Sequence, residues 1–297
     1  MKLITILGVT SSGKSNMAIE LAKYLLSVNK KSVIINCDSR QVYKELNLLS
    51  GKIEGEITKS KFIDKQILLS DSIEHFLINN TTIKEVYSLN NYIQDFVSLT
   101  QLLSNKVDYI ILTGGTGLYA RAITEEYQIN PHPLSDNNTT LSTPTLKELQ
   151  DSLDTNNFNN SDWNNKVRLE NYINKNHKTN ISPNYYEFST KYKFIIQIEN
   201  HELNLKVKNR IIDRIKLGML EEAFELYITY GFDRLDKLGL ECRYCGYYCL
   251  GYISTEELII ILTLRTMQYV KRQKTWLNKE VNAIKINSIN NIFDTVL

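Results

Sequence analysis

The apolar run Leu3-Ile4-Thr5-Ile6-Leu7 feeds directly into Gly8-Val9-Thr10-Ser11-Ser12-Gly13-Lys14-Ser15, and a helical pattern takes over from there. No other stretch constrains the fold as tightly. A strand that ends in G-x4-G-K-S and opens a helix places backbone N–H groups and a helix N-terminus around one point. Phosphate oxygens are what such a point attracts. Lys14 adds a mobile cation, and the Ser15 hydroxyl is of the type that ligates Mg²⁺. Gly8, Val9, Thr10, Ser11, Ser12, Gly13, Lys14 and Ser15 are therefore read as a loop for a diphosphate-bearing ligand, with Ser15 as the metal-binding residue and Mg²⁺ as the cofactor.

Ser32–Cys37, Val107–Leu112 and Lys193–Ile198 are further short runs rich in β-branched residues. Between the first strand and Ser32, residues Ala18, Leu21, Ala22, Leu25 and Leu26 recur on one face at helical spacing. Strands that alternate with helices predict an α/β fold, a P-loop NTPase or kinase-like parallel sheet with helices on both faces. Between Thr124 and Lys191 the texture changes to Asn, Asp, Ser, Thr and Pro, with helical pieces at Thr145–Leu153 and Trp163–Asn174. The expected organisation is a core of residues 1–123 and 192–297, interrupted by a helical insertion at 124–191. Long helices at Asn204–Leu217, Leu220–Tyr230 and Thr255–Trp276 and a last edge strand at Ala283–Ile286 complete the core.

The net charge of +2 announces no global attraction to nucleic acid, although a local basic patch fits within that balance. No apolar stretch approaches the ~20 residues that cross a bilayer, and no signal peptide precedes the first strand. The expectation is a cytoplasmic protein without membrane contact, its four Cys reduced. Cys242, Cys245 and Cys249 have a spacing that suits either a metal or a helix face; no fourth Cys or nearby His completes a tetrahedral set.

Asp38, in N-C-D-S-R-Q-V-Y, falls at the carboxyl end of the second strand, where open parallel sheets form their ligand crevices. It should face the same crevice as Lys14. A carboxylate there can accept a proton, hold a metal, or cap the next helix. Arg40 and Gln41 carry donors and acceptors suited to a base edge. The strand at Val107–Leu112 runs into T-G-G-T-G-L-Y, Thr113–Tyr119, where a triphosphatase would carry an acidic residue; Asp108 stands at the opposite end.

In this order, G-x-T-x-S-G-K-S, D-S-R-Q-V-Y and G-G-T-G-L-Y, followed by G-L-E-C-R-Y-C-G-Y-Y, G-Y-I-S-T-E-E-L and K-R-Q-K-T-W (Lys271–Trp276), the chain resembles the tRNA dimethylallyltransferases, or tRNA isopentenyltransferases, from about Ile4 to Trp276. The resemblance implies transfer of a dimethylallyl group from dimethylallyl diphosphate to N6 of the adenosine 3′-adjacent to a tRNA anticodon. The loop then holds a leaving group, although ATP can still occupy it. Asp38, Lys14 and Arg210 become the catalytic residues, with Asp38 as the base and the two cations on the diphosphate. Asp38, Ser39, Arg40, Gln41, Thr116, Arg168 and Arg272 become the tRNA-contacting set, the insertion becomes the tRNA-binding domain, and Thr10 lies near the donor phosphates. A monomer acting on the anticodon stem-loop is expected. The sequence departs from the family's usual pattern at Asn79, Asn171 and Lys206.

Three classes stay open at this stage: the prenyltransferase, a small-molecule kinase using Asp38 as base, and a nucleotide-dependent switch. Kinase chemistry requires neither G-G-T-G-L-Y nor K-R-Q-x-T-W. A switch has no need of Asp38 opposite the loop. A relative that prenylates free adenine nucleotides is disfavoured by the large insertion.

Overall fold

The computed structural model describes residues 1–129, 145–155, 163, 164, 166, 169 and 182–296. Its strands are β1 (Lys2–Leu7), β2 (Ser32–Asn36), β3 (Glu56–Lys59), β4 (Gln66–Ser70), β5 (Ile73–Phe76), β6 (Tyr109–Thr113), β7 (Lys191–Ile196) and β8 (Ile284–Ile286). They form one sheet in the order β3-β4-β5-β2-β6-β1-β7-β8. From β5 to β8 every neighbouring pair is parallel. β3, β4 and β5 are joined antiparallel.

The described helices are α1 (Lys14–Ser27), α2 (Leu89–Leu103), α3 (Gly117–Thr124), α4 (Leu146–Asp151), α5 (Asn200–Lys216), α6 (Met219–Tyr230), α7 (Phe232–Asp236), α8 (Leu240–Cys249), α9 (Thr255–Leu277) and α10 (Asn290–Val296). The chain divides into two compact units, Met1–Glu125 with Tyr185–Leu297, and Glu126–Asn184. In the second unit α4 opens with a capping box, in which Thr145 and Glu148 satisfy each other's backbone donors, and its Leu149 is buried. Of the expected helix at Trp163–Asn174, the described residues Trp163, Lys166 and Leu169 are helical.

The sheet core follows from two-residue alternation. Ile4 and Ile6 of β1, Ile34 of β2, Ile111 of β6 and Phe194 of β7 point to one side, against Ala18, Leu21, Ala22 and Leu25 of α1. Ile292 and Val296 of α10 join the same cluster, and Tyr24 stacks on Phe293 with ring centroids 3.9 Å apart. Strands buried on both faces explain the unbroken apolar runs seen in the sequence.

Two expectations are corrected. Leu26 leaves the α1 core face and is 53% exposed. The sheet is mixed rather than wholly parallel, because β3, β4 and β5 went unseen in the sequence. β3 is exposed along its length, and β4 turns into β5 through Asp71 and Ser72, both with positive φ. That is the geometry of a tight hairpin, made here without the Asn-Gly or Asp-Gly pair that usually signals it.

Candidate active site

Three loops leave the carboxyl ends of adjacent strands and meet in a cavity of about 850 Å³. The first, Gly8–Gly13, leaves β1 and enters α1 through Ser11 (φ 63) and Gly13 (φ 87), both left-handed. Gly8 is required by space: a Cβ there would sit 2.6 Å from Ser12 Oγ. Lys14 is buried and donates from Nζ to the Val9 carbonyl at 2.6 Å. Burial, with the charge of Arg210 second, lowers the Lys14 ammonium to about 8, while Asp38 and Cys37 act in the opposite direction. Thr10, Ser11, Lys14 and Ser15 line the cavity.

The second loop carries Asp38. Asn36, the last residue of β2, braces it: its side-chain amide donates to the carbonyls of Leu77 (3.0 Å) and Asp38 (3.2 Å) and accepts from the Asp38 N–H (3.1 Å). Asp38 Oδ1 accepts from the Arg40 N–H at 2.8 Å, so the carboxylate caps its own turn and no helix. It lines the same cavity as Lys14. The third loop is Gly114–Thr116. Cys37 N–H donates to the Thr113 carbonyl (2.9 Å) and Thr116 N–H to the Cys37 carbonyl (3.1 Å), which ties this loop to the Asp38 loop. Both glycines are needed for close approach, since a Cβ on Gly114 would meet the Cys37 backbone at 2.4 Å and one on Gly115 would meet Asp38 Oδ2 at 2.5 Å. Ser39 N–H and Thr116 Oγ1 are bonded at 2.9 Å, and the two hydroxyls lie 3.0 Å apart.

Arg210, on α5, donates from a terminal nitrogen to the Gly51 carbonyl at 3.0 Å, and the Gln41 side-chain amide donates to the same oxygen at 3.3 Å. Gly51, with φ 60, leaves the space that the guanidinium fills. Burial and the neighbouring Arg214 lower the proton affinity of Arg210, against Glu241 and Asp38. Arg214 itself is held by the Leu48 carbonyl (3.0 Å) and Glu241 (3.2 Å). Arg40 rests against Gly239, whose φ of 130 only glycine adopts readily. Arg265 and Arg272 lie over the rings of Tyr244 and Tyr269, at 5.9 and 5.6 Å from the ring centroids.

Of the residues expected at the site, Thr10, Ser11, Lys14, Ser15, Asp38, Ser39, Arg40, Gln41, Thr116, Arg210 and Arg272 share this cavity. Arg168 and Asn171 lie outside the described residues. Gly8, Val9, Ser12 and Gly13 shape the loop without lining the cavity. The aromatic ring beneath Arg272 is Tyr269, whereas Trp276 covers Gly117, where a Cβ would be 2.3 Å from the indole. Lys206 is exposed and paired with Glu202 at 2.6 Å. Asn79 accepts from the Lys52 ammonium, which burial lowers to about 8. Cys242 and Cys245 are buried on α8, and among the described residues no group of three His, Cys, Asp or Glu forms a metal cluster.

Sequence reasoning missed Gln273, Tyr269 and Arg214. Gln273 accepts from the Thr10 N–H at 2.8 Å and donates to the Gly115 carbonyl at 3.2 Å. The available signal was spacing: Tyr269 and Gln273 are one helical turn apart, on the side of α9 that meets the loops.

Residues 41–280 match the family model described as IPP transferase. The tRNA dimethylallyltransferase 2 of Treponema denticola is 30% identical over 96% of this chain and 94% of its own length. That of Shewanella sediminis is 31% identical over 93% of this chain and 89% of its own. Among solved structures, the tRNA isopentenylpyrophosphate transferase of Bacillus halodurans superposes with a TM-score of 0.69, at 21% identity, over 99% of this chain and 95% of the other. The family match begins after the phosphate loop and spans most of the chain, and by both measures the chain belongs to the IPP transferase family.

Proposed function

We propose that this protein transfers a dimethylallyl group from dimethylallyl diphosphate to N6 of the adenosine 3′-adjacent to the anticodon of tRNA. The observation that carries the reading is the arrangement of one cavity. A phosphate loop with Lys14 lines it together with the Asp38 carboxylate, and β6 is followed by Gly114-Gly115, without the acidic residue of a triphosphatase. The N6 lone pair attacks C1 of the dimethylallyl group. The C1–O bond breaks, its electron pair leaves with diphosphate, and Asp38 takes the proton that N6 loses. Lys14, Arg210 and the remaining loop N–H groups are assigned to the charge that develops on the departing diphosphate.

The residues present fit Mg²⁺. Ser15 offers one hydroxyl at the cavity wall, and a hard cation of this kind takes its remaining ligands from phosphate oxygens and water. When bound, it neutralises leaving-group charge. Ser39, Arg40, Gln41 and Thr116 line the Asp38 side of the cavity and are assigned to the target adenosine, which must leave the anticodon-loop stack to reach it. Arg272 and the insertion, Arg168 included, are assigned to the rest of the anticodon stem-loop. The protein acts in the cytoplasm as a monomer.

The test is incubation with labelled dimethylallyl diphosphate, Mg²⁺ and unmodified tRNA, without ATP. Label should appear in one anticodon-loop adenosine. A strict requirement for ATP hydrolysis would overturn the reading in favour of a kinase or switch.

A further inference from the structure

The three loops around the cavity are not fastened equally. The Asp38 loop and the Gly114–Thr116 loop share backbone hydrogen bonds and the Ser39–Thr116 pair. The Gly8–Gly13 loop turns inward instead: Ser12 N–H and Lys14 Nζ both donate to its own Val9 carbonyl. Its Thr10 N–H leaves the loop and is taken up by Gln273, from α9. The other end of the same amide donates to Gly115, the residue packed directly on the Asp38 carboxylate. Tyr269, one turn earlier, donates to that carbonyl as well, at 3.3 Å.

Gln273 is 1% exposed, so water cannot stand in for either bond. Its orientation is fixed by its partners. Reversing the amide would set NH₂ against the Thr10 N–H and a carbonyl oxygen against the Gly115 carbonyl. A group with one acceptor and one donor at this reach is required, which glutamine supplies and glutamate supplies only when protonated.

We infer that Gln273 is a positioning residue that holds the diphosphate loop and the Asp38 base in register, so that the leaving group and the proton acceptor keep a fixed distance across the reacting carbon. The inference rests on the prenyl-transfer reading above. Gln273 touches neither substrate; it acts through Thr10 on one side and through Gly115 on the other.

The test compares Gln273→Met, which keeps the length and loses both bonds, with Gln273→Glu, which regains both when protonated. Gln273→Met should lose roughly 10²-fold in kcat, the scale of a misplacement of about 1 Å between reacting groups. Its KM for dimethylallyl diphosphate should change far less. For Gln273→Glu, the ratio of variant to wild-type kcat should rise as pH falls from 8 to 5.5. Lys14, Asp38, Arg40, Tyr269 and Arg272 face this region, and because Gln273 also contacts Tyr269, Gln273→Met, which adds no ionisable group, is followed over the same pH range as the control for their contribution. A buried polar residue with only a structural role would lower the melting temperature of both variants and leave the kcat of folded protein unchanged. That result, or a pH-independent ratio in Gln273→Glu, overturns the inference. Faster amide exchange at Thr10 in Gln273→Met reads the tie without turnover. It therefore separates a failed tie from a wild-type protein that does not prenylate tRNA at all.

Discussion

Gly115→Ala is a substitution of one methyl group whose effect can be worked out from distances. The backbone tolerates it, because the φ of Gly115 is not in the left-handed region, so no strain is added to the loop itself. The new Cβ would lie 2.5 Å from Asp38 Oδ2, where ordinary contact begins at 3.4 Å. The carboxylate must therefore retreat by roughly 1 Å, since repulsion rises steeply inside contact distance. Retreat is resisted by the bond from the Arg40 N–H to Oδ1, so the carboxylate swings about that anchor and not away as a whole. A base displaced by about 1 Å costs on the order of 10²-fold in rate. The donor side is untouched, because the methyl points at Asp38 and away from the Gly8–Gly13 loop. The assay is single-turnover transfer from labelled dimethylallyl diphosphate to an anticodon stem-loop, alongside direct measurement of donor affinity. The expected result is a fall of about 10²-fold in the transfer rate with donor affinity unchanged. Transfer at the wild-type rate by a folded Gly115→Ala protein would refute both the placement of Asp38 as base and the need for its close support.

Asp38→Asn keeps size and removes the base, so kcat should fall by ~10²–10⁴ with little change in donor KM, whereas Arg210→Ala should lower both turnover and donor binding; near wild-type turnover in Asp38→Asn would leave the reaction without an assigned base. Lys14 is lowered to about 8 in the free protein, and a bound diphosphate restores its proton, so affinity for inorganic diphosphate should be full below pH 8 and weaken as pH rises past it. Comparing wild type with Lys14→Arg cancels the titration of the ligand, and a ratio that stays flat from pH 7 to 9.5 would remove Lys14 from the diphosphate. Replacing residues 124–191 by a short linker should weaken tRNA binding and its salt dependence while sparing donor binding; unchanged tRNA modification by the shortened protein would contradict the role given to the insertion.

Contiguous features were the legible ones. The phosphate loop could be read because strand, glycines, Lys14 and helix lie within one short segment, and Asp38 because a strand end announces its position. Arg210 was reachable only through resemblance, since nothing local distinguishes it from Arg214 one turn later. Gln273 showed only its one-turn spacing from Tyr269 and its place in K-R-Q-K-T-W: a glutamine between Arg272 and Lys274 looks like part of a solvated face until the fold sets it on two loops. The β3–β5 segment was missed for a different reason. Strands of four or five residues, one fully exposed, are too short to show a period, and the Asp71-Ser72 turn lacks the glycine that marks such turns. Leu26 reads as part of the α1 stripe, but at about 100° per residue it falls at the edge of the face set by Ala18, Leu21, Ala22 and Leu25, and it is exposed.

The place of β1 in the sheet has a consequence for how the protein comes into being. Residues 2–7 pair on one side with residues 109–113 and on the other with residues 191–195. The strand that carries the phosphate loop is thus made before either neighbour, and it gains the second only once the chain has been extended through β7. Long-range strand pairing of this kind carries a large loop-closure entropy and is slow. Until β7 arrives, Leu3, Ile4, Ile6 and Leu7 form one open, apolar edge, the type of surface that recruits chaperones or other nascent chains. Prompt synthesis of residues 114–190 shortens that interval, so codon usage and chaperone supply over this stretch bear directly on the yield of active protein.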